Sequence, residues 1–301
     1  MRQRHRSTAH LIACVVMGCL FPVAPALAGT AAEIRYGYQS TRFGSVSGTG
    51  SEFLRTASDS YSGDGVFGDA SATAGAGSLS TLATSATASG SSNPRGVYMT
   101  ARASLSDSFT ILSDSALPLL LEFAAGASGT LNAMHPGGVT GRSTAEVNWD
   151  VAMSGPGVDF STSGGVTYQW IRRAPTFDYV LEVFERGIAL SDFAIAVGIP
   201  ANSLGQTFSL TMTATAHAST SAPQSGTTSA SADFGSTLNW LGLVSATLPD
   251  GSPYEGPLSI VSDSGFNYLE SAVVVPVPAV VPIFVLALGT LGVTTRRRIT
   301  P

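Results

Sequence analysis

Residues Phe208, Leu210, Met212, Ala214, Ala216 and Ala218 alternate without interruption with Ser209, Thr211, Thr213, Thr215, His217 and Ser219. Side chains of a strand point to opposite faces with period two, whereas a helix would scatter this set around its circumference. The stretch is therefore read as a strand with one apolar edge. That edge shrinks from Phe to Ala, as expected where a strand runs from a thick core to a thin rim. Ala145, Val147, Trp149, Val151 and Met153 repeat the pattern against Thr144, Glu146, Asn148, Asp150 and Ala152, which places Trp149 inside.

The neighbouring stretches follow the same logic less sharply. Residues 97–105 read as a strand with mixed faces, and the apolar run 117–123 is short enough that strand beats helix. Val166, Tyr168 and Trp170 share one face, and Phe177, Tyr179, Leu181 and Val183 share another, with a turn at Ala174, Pro175 and Thr176 closing a hairpin. Residues 71–92 are nearly free of large side chains. They suit a flexible linker or a flat strand, and their lack of charge favours the strand. Residues 29–93 as a whole read as loops and weak strands, and 221–231 as a polar loop. A strand over 237–243, a turn at Pro249, Asp250 and Gly251 and a strand over 258–261 complete the body. Short strands divided by Gly, Ser and Pro predict an all-β fold, an antiparallel β-sandwich or jelly-roll-like domain over 29–272. A β-solenoid is the alternative, but no repeat of fixed period is present.

Both ends of the chain read as addresses. Arg2, Arg4 and Arg6 precede an apolar run over 11–21, and Ala26 and Ala28 place small residues at the −3 and −1 positions of a cleavage site. This is the layout of a secretory signal peptide over 1–28, engaged by the Sec export machinery and cut before Gly29. A lipobox reading of Val16, Met17, Gly18 and Cys19 is the lesser alternative, because apolar sequence continues past Cys19 to the Ala-x-Ala site. The chain's two cysteines, Cys14 and Cys19, both lie in this leader, so the body must be stabilised by burial and not by disulfides.

At the other end, no residue from 273 to 295 is charged. As a helix these positions would span about 35 Å against a bilayer core of about 30 Å. Pro276, Pro278 and Pro282 interrupt it, so a secure helix starts near Pro282 and the span over 280–295 is marginal. Arg296, Arg297 and Arg298 favour the cytoplasmic side, which leaves the body outside. Between the two signals, nine arginines face 20 acids with no lysine, a net charge of −11. An acidic body without a basic run excludes a nucleic-acid binder and suits solubility among anionic glycans.

The tail over 273–301, with Val275, Pro276, Val277, Pro278 and Ala279, then an apolar segment, then Arg296–Arg298, resembles the PEP-CTERM class of sorting signals. It is similar to the Val-Pro-Leu-Pro-Ala variant, with Val277 where Leu is usual. The resemblance implies a substrate of an exosortase-like enzyme of Gram-negative bacteria, held transiently in the inner membrane. It further implies cleavage near the Pro motif and release to the cell surface or extracellular polysaccharide. Asp233-Phe234-Gly235, the Pro249–Pro253 turn and residues 262–268 loosely resemble a block found ahead of such tails, which implies the last hairpin of a sandwich. The class assigns no activity to the body.

Candidate chemistry is sparse. His135, before a Pro-Gly-Gly turn, and His217, on the polar and solvated face of its strand, lack the close spacing of a zinc site. No Gly-x-Ser-x-Gly elbow is present, although a triad is set by geometry and not by order. Asp178, Glu182 and Glu185 cluster on one stretch as a solvated acidic face. Asp59, Asp64 and Asp69 are the weak candidates for calcium, against an ordinary acidic loop; no other cofactor is expected. Trp170 and Tyr179 are the candidate glycan contacts, provided that their rings are exposed and not core. The leading expectation is thus a non-enzymatic structural or adhesive surface protein. The alternatives are a glycan-binding module and a secreted hydrolase or lyase in which His135 or His217 meets a carboxylate or serine.

Overall fold

The computed structural model describes residues 29–272 apart from 39–41, 48, 52–53, 64, 89–95, 136–140, 173–178, 188–189 and 224–225. The signal peptide, the sorting motif, the apolar segment, Arg296–Arg298, Asp64, Phe177, Asp178 and the turn at 174–176 lie outside the described residues. In chain order the strands are β1 (Gly29–Tyr38), β2 (Arg42–Ser47), β3 (Thr49–Ser51), β4 (Leu54–Gly63), β5 (Val66–Gly75), β6 (Ser78–Ala88) and β7 (Val97–Ser113). They continue with β8 (Leu119–Met134), β9 (Arg142–Gly155), β10 (Val158–Arg172), β11 (Tyr179–Gly187), β12 (Asp192–Ile199), β13 (Thr207–Ser221), β14 (Thr227–Thr247) and β15 (Leu258–Ser262). One 3₁₀ turn over Ala201–Ser203 is the only helical element among the described residues.

The strands form two antiparallel sheets. One has the order β11-β10-β9-β13-β7-β1-β2, with β15 also on β7; the other runs β12-β8-β14-β6-β5-β4-β3. The sheets face each other across a shared core, as the alternating pattern predicts, and the fold is all-β and consistent with a sandwich. All six apolar residues of β13, from Phe208 to Ala218, are buried.

The core is a wedge. Its thick end is filled by Phe123, Trp149, Phe193, Phe208, Trp240 and Tyr268, with Trp149 stacked on Phe193 at 4.4 Å between ring centroids. Its thin end is filled by alanines such as Ala72, Ala83, Ala101, Ala216 and Ala232. There the sheets come close enough for Thr87 Oγ1 on β6 to hydrogen-bond Thr220 Oγ1 on β13 at 2.9 Å. Thr228 Oγ1 on β14 likewise donates to the Ser221 carbonyl at 2.7 Å. Sheets of ordinary side chains pack about 10 Å apart, too far for such direct bonds. At Gly68 a Cβ would lie 2.7 Å from Met99 Sδ on the facing sheet, so a larger residue there would have to displace that side chain.

Several readings of the sequence are corrected. Residues 29–93 hold six strands, and 71–92 contribute to β5 and β6, joined by a turn at 76–77. Small side chains weaken the apolar signal there without weakening the backbone pairing. Most of the expected loop over 221–231 is strand: β13 runs to Ser221, and β14 runs from Thr227 and buries Thr228, Ala230 and Ala232 in the thin end. The last two strands are not a hairpin: β14 lies in one sheet, while β15 pairs β7 in the other. The hairpin of β10 and β11 is as expected, from Gly165↔Arg186 to Arg172↔Tyr179. Leu181 and Val183 of β11, however, are exposed, because the facing sheet stops at β12 and nothing described covers them.

Candidate functional site

The most concentrated polar chemistry in the body is a buried cluster that sequence reading missed. Asp107 sits at an inward position of β7, between Leu105 and Phe109, and is fully buried. Its Oδ1 accepts the Ser108 N–H at 2.9 Å and the Ser264 N–H at 3.2 Å. Its Oδ2 accepts the Tyr268 hydroxyl at 2.6 Å and the Ser264 hydroxyl. After β15 the chain turns at Gly265, with φ +74°, and returns Tyr268 to the core. The Tyr268 ring lies 5.4 Å from Phe109 and edge-on at 5.4 Å from Trp240. Trp240 Nε1 donates to the Tyr268 carbonyl at 2.8 Å, and the Ala272 N–H donates to the Trp240 carbonyl at 2.8 Å. Gly242, with φ +94° and its absent Cβ facing the Leu269 carbonyl at 2.9 Å, lets this segment lie flat on β14.

Burial first, and the Asp107 carboxylate second, push the Tyr268 hydroxyl far above its ordinary range. A phenol so held remains a donor at any ordinary pH, and each carboxylate oxygen already has two partners. The arrangement is a clasp that fastens residues 262–272 to both sheets. The available sequence signal was an acid at an inward parity position, with Ser and Tyr four residues apart near the end of the body.

The candidates named from sequence are dispersed. His217 projects from the outer face of the eight-stranded sheet, but it is half-buried and not freely solvated. Its Nδ1 bonds Thr100 Oγ1 at 2.8 Å, Tyr98 flanks the ring at 6.1 Å, and burial lowers its pKa against an opposing effect of Glu146. Glu146 lies directly across in the register, and it accepts the Asn148 amide at 2.5 Å. His135 is at the end of β8, with its ring 6.3 Å from Trp170. The two histidines stand on different sheets and do not meet.

Trp170 is half-buried, and its Nε1 donates to the Ala133 carbonyl of the facing sheet at 2.7 Å. Its indole closes the open margin of the sandwich, only partly in the core that period-two placement suggested. Tyr179 begins β11, opposite Arg172. The acidic stretch around 62–69 is a hairpin and not a loop: Asp59 lies within β4 and Asp69 within β5. Asp59 pairs with buried Ala70, whereas Asp69 pairs with exposed Ser60, so the two carboxylates point to opposite faces. Burial, and then the Asp59 charge, raise the pKa of Asp69. Glu182 and Glu185 likewise occupy opposite faces of β11. Among the described residues no three His, Cys, Asp or Glu side chains gather as metal ligands, and no helix is long and apolar enough to cross a membrane. No protein-family model, no curated protein and no solved structure matches this chain.

Proposed function

We propose that this chain is an exported protein carrying a C-terminal sorting signal, with a structural or adhesive role at the cell surface or in the extracellular polysaccharide. In this reading a signal peptide over 1–28 directs export, and a transmembrane helix over 280–295 holds the body outside until an exosortase-like enzyme cuts near Ala279. The observation that carries the adhesive role is the outer face of the eight-stranded sheet. There Thr213, Thr215, His217 and Ser219 of β13 stand in register between Ser104, Arg102, Thr100 and Tyr98 of β7 and Asp150, Asn148, Glu146 and Thr144 of β9. A broad face of hydroxyls and amides interleaved with charged groups offers many weak hydrogen bonds to a hydrated polymer, and no single one dominates.

Two junctions support the sorting part. Gly29, the expected first residue of the mature chain, already pairs with Ser106 of β7, so cleavage after Ala28 leaves the whole of β1 as described in place. The clasp holds the body as far as Ala272, immediately before the uncharged segment. The test is the intact mass and cell fraction of the native product, beside a deletion of Arg296–Arg298. A mature chain running from Gly29 to about Ala279, found outside the cell and bound to polysaccharide, is expected; the deletion should shift its fraction. A wild-type chain that keeps its tail and stays in the inner membrane would overturn the sorting reading.

A further inference from the structure

The eight-stranded sheet ends in an edge that the facing sheet leaves bare. Among the described strands β11 pairs only with β10, in unbroken register. Its inward face carries Leu181, Val183 and Glu185, opposite Trp170, Tyr168 and Val166; its outward face carries Val180, Glu182, Phe184 and Arg186. Leu181 is 41%, Val183 50% and Phe184 49% exposed. Edge strands are commonly blunted by lysine, proline, a bulge, an inward-pointing charge or brevity. β11 has no lysine, no proline and no bulge; its one inward charge is Glu185, near its end, and it runs for nine residues, whereas the β3 edge of the other sheet has three. We propose that this edge docks a second copy of the same chain, β11 against β11, antiparallel about a two-fold axis at Phe184.

The order of charges selects that occupant and that register. A two-fold axis normal to the sheet keeps both sandwiches on one side and sets one residue against itself at the centre. Centred on Phe184, the pairing sets Glu182 of each copy against Arg186 of the other, so two opposite-charge pairs flank a Phe–Phe contact on the outward face. Centring on Glu182 or Glu185 would set a glutamate against itself, and centring on Val183 would set Glu182 against Phe184. Of these registers, the one centred on Phe184 pairs Glu182 with Arg186 around the Phe–Phe contact, while on the inward face Glu185 lies opposite Val183 of the other copy. The contact adds main-chain hydrogen bonds along an open edge and joins the two seven-strand paths into one sheet. A single-strand contact is small, so the dimer is weak and depends on concentration. The inference is independent of how the chain is sorted.

The test uses the full chain in detergent micelles, with Cys14 and Cys19 replaced by serine. In this background F184C places two thiols at the symmetry centre, where paired strands hold Cα atoms about 4.5–5.5 Å apart, within disulfide reach. Oxidation is expected to link F184C into dimers and to leave V244C, at a 62% exposed position on β14, unlinked. Adding E182R or R186E puts like charges opposite each other twice, and either change alone should lower the yield of F184C dimer by about tenfold. An equimolar mixture of the E182R and R186E chains restores opposite charges at both contacts and should recover the yield, with unchanged thermal melting showing that every variant is folded. Equal linking of F184C and V244C, charge variants that pair like the parent, or a mixture without recovery would overturn the proposal. Association driven by the apolar tail would give the second of these results.

Discussion

Replacing Asp107 with alanine should unfasten the end of the body. The side chain is fully buried and accepts four hydrogen bonds, two from backbone N–H groups and two from the hydroxyls of Ser264 and Tyr268. Removing the acceptor leaves the hydroxyl of the buried Tyr268, whose ring packs on Phe109, Phe266 and Trp240, without its carboxylate partner. A buried donor left without a partner costs about 1–3 kcal/mol. The stranded Tyr268 hydroxyl, the two bonds lost from Ser264 and the small void left by truncation bring the expected loss to about 3–5 kcal/mol. A domain commonly holds about 5–15 kcal/mol in all, and one of this size loses roughly 2–4 °C of melting temperature per kcal/mol. D107A should therefore melt about 10 °C below the parent. Y268F, which removes one of the four bonds, should cost about 1–3 kcal/mol. The D107A/Y268F double variant should lose less than the sum of the two, since the second change removes the group that the first one strands. Urea unfolding followed by tryptophan emission measures all three, because Trp240 Nε1 is bonded to the Tyr268 carbonyl. A D107A chain that melts within about 2 °C of the parent, or strict additivity in the cycle, would refute the clasp.

The remaining predictions concern charge and packing. Burial lowers the His217 pKa below its ordinary 6.5, so the unfolded chain binds a proton more readily than the folded one. Stability should therefore fall as pH drops below about 6.5, and urea titrations of H217Q should show a shallower fall over that window. Asp69 has a raised pKa, so its charged form opposes folding at neutral pH; D69N should raise the melting temperature at pH 7 and lose that advantage toward pH 4. Calcium should leave the melting curve of the parent unmoved, because Asp59 and Asp69 face opposite sides of their sheet. In the thin end, A216L forces a large side chain between sheets that Thr87 and Thr220 hold within hydrogen-bond reach, and thermal melts should show a loss of at least about 1–3 kcal/mol.

How far the fold could be read depended on side-chain size. β9 and β13 were legible because large apolar residues alternate with polar ones, and burial follows that pattern residue by residue. β4–β6 and the start of β14 were harder, because their inward positions are mostly Ala, Ser and Thr, which hydropathy does not separate from loop residues. Which strand belongs to which sheet was not legible at all: β14 and β15 are neighbours in sequence and lie in different sheets. Leu181 and Val183 obeyed the period-two rule yet remain exposed, since that rule reports a shared face and not the presence of a facing sheet. Asp107 escaped notice because polar residues are read outward by default, and only Ser264 and Tyr268, far off in sequence, explain its place inside.

The taper of the core also divides the molecule by its response to temperature. Apolar surface raises the heat capacity of unfolding, and its contribution to stability fades on cooling. The end built on Phe123, Trp149, Phe208 and Trp240 carries most of that surface per residue. The alanine end carries little and depends more on its ladder of main-chain bonds, whose strength changes less with temperature. Cooling should therefore weaken the bulky end first and heating should loosen the alanine end first, so that amide exchange measured at two temperatures would open the sandwich from opposite sides.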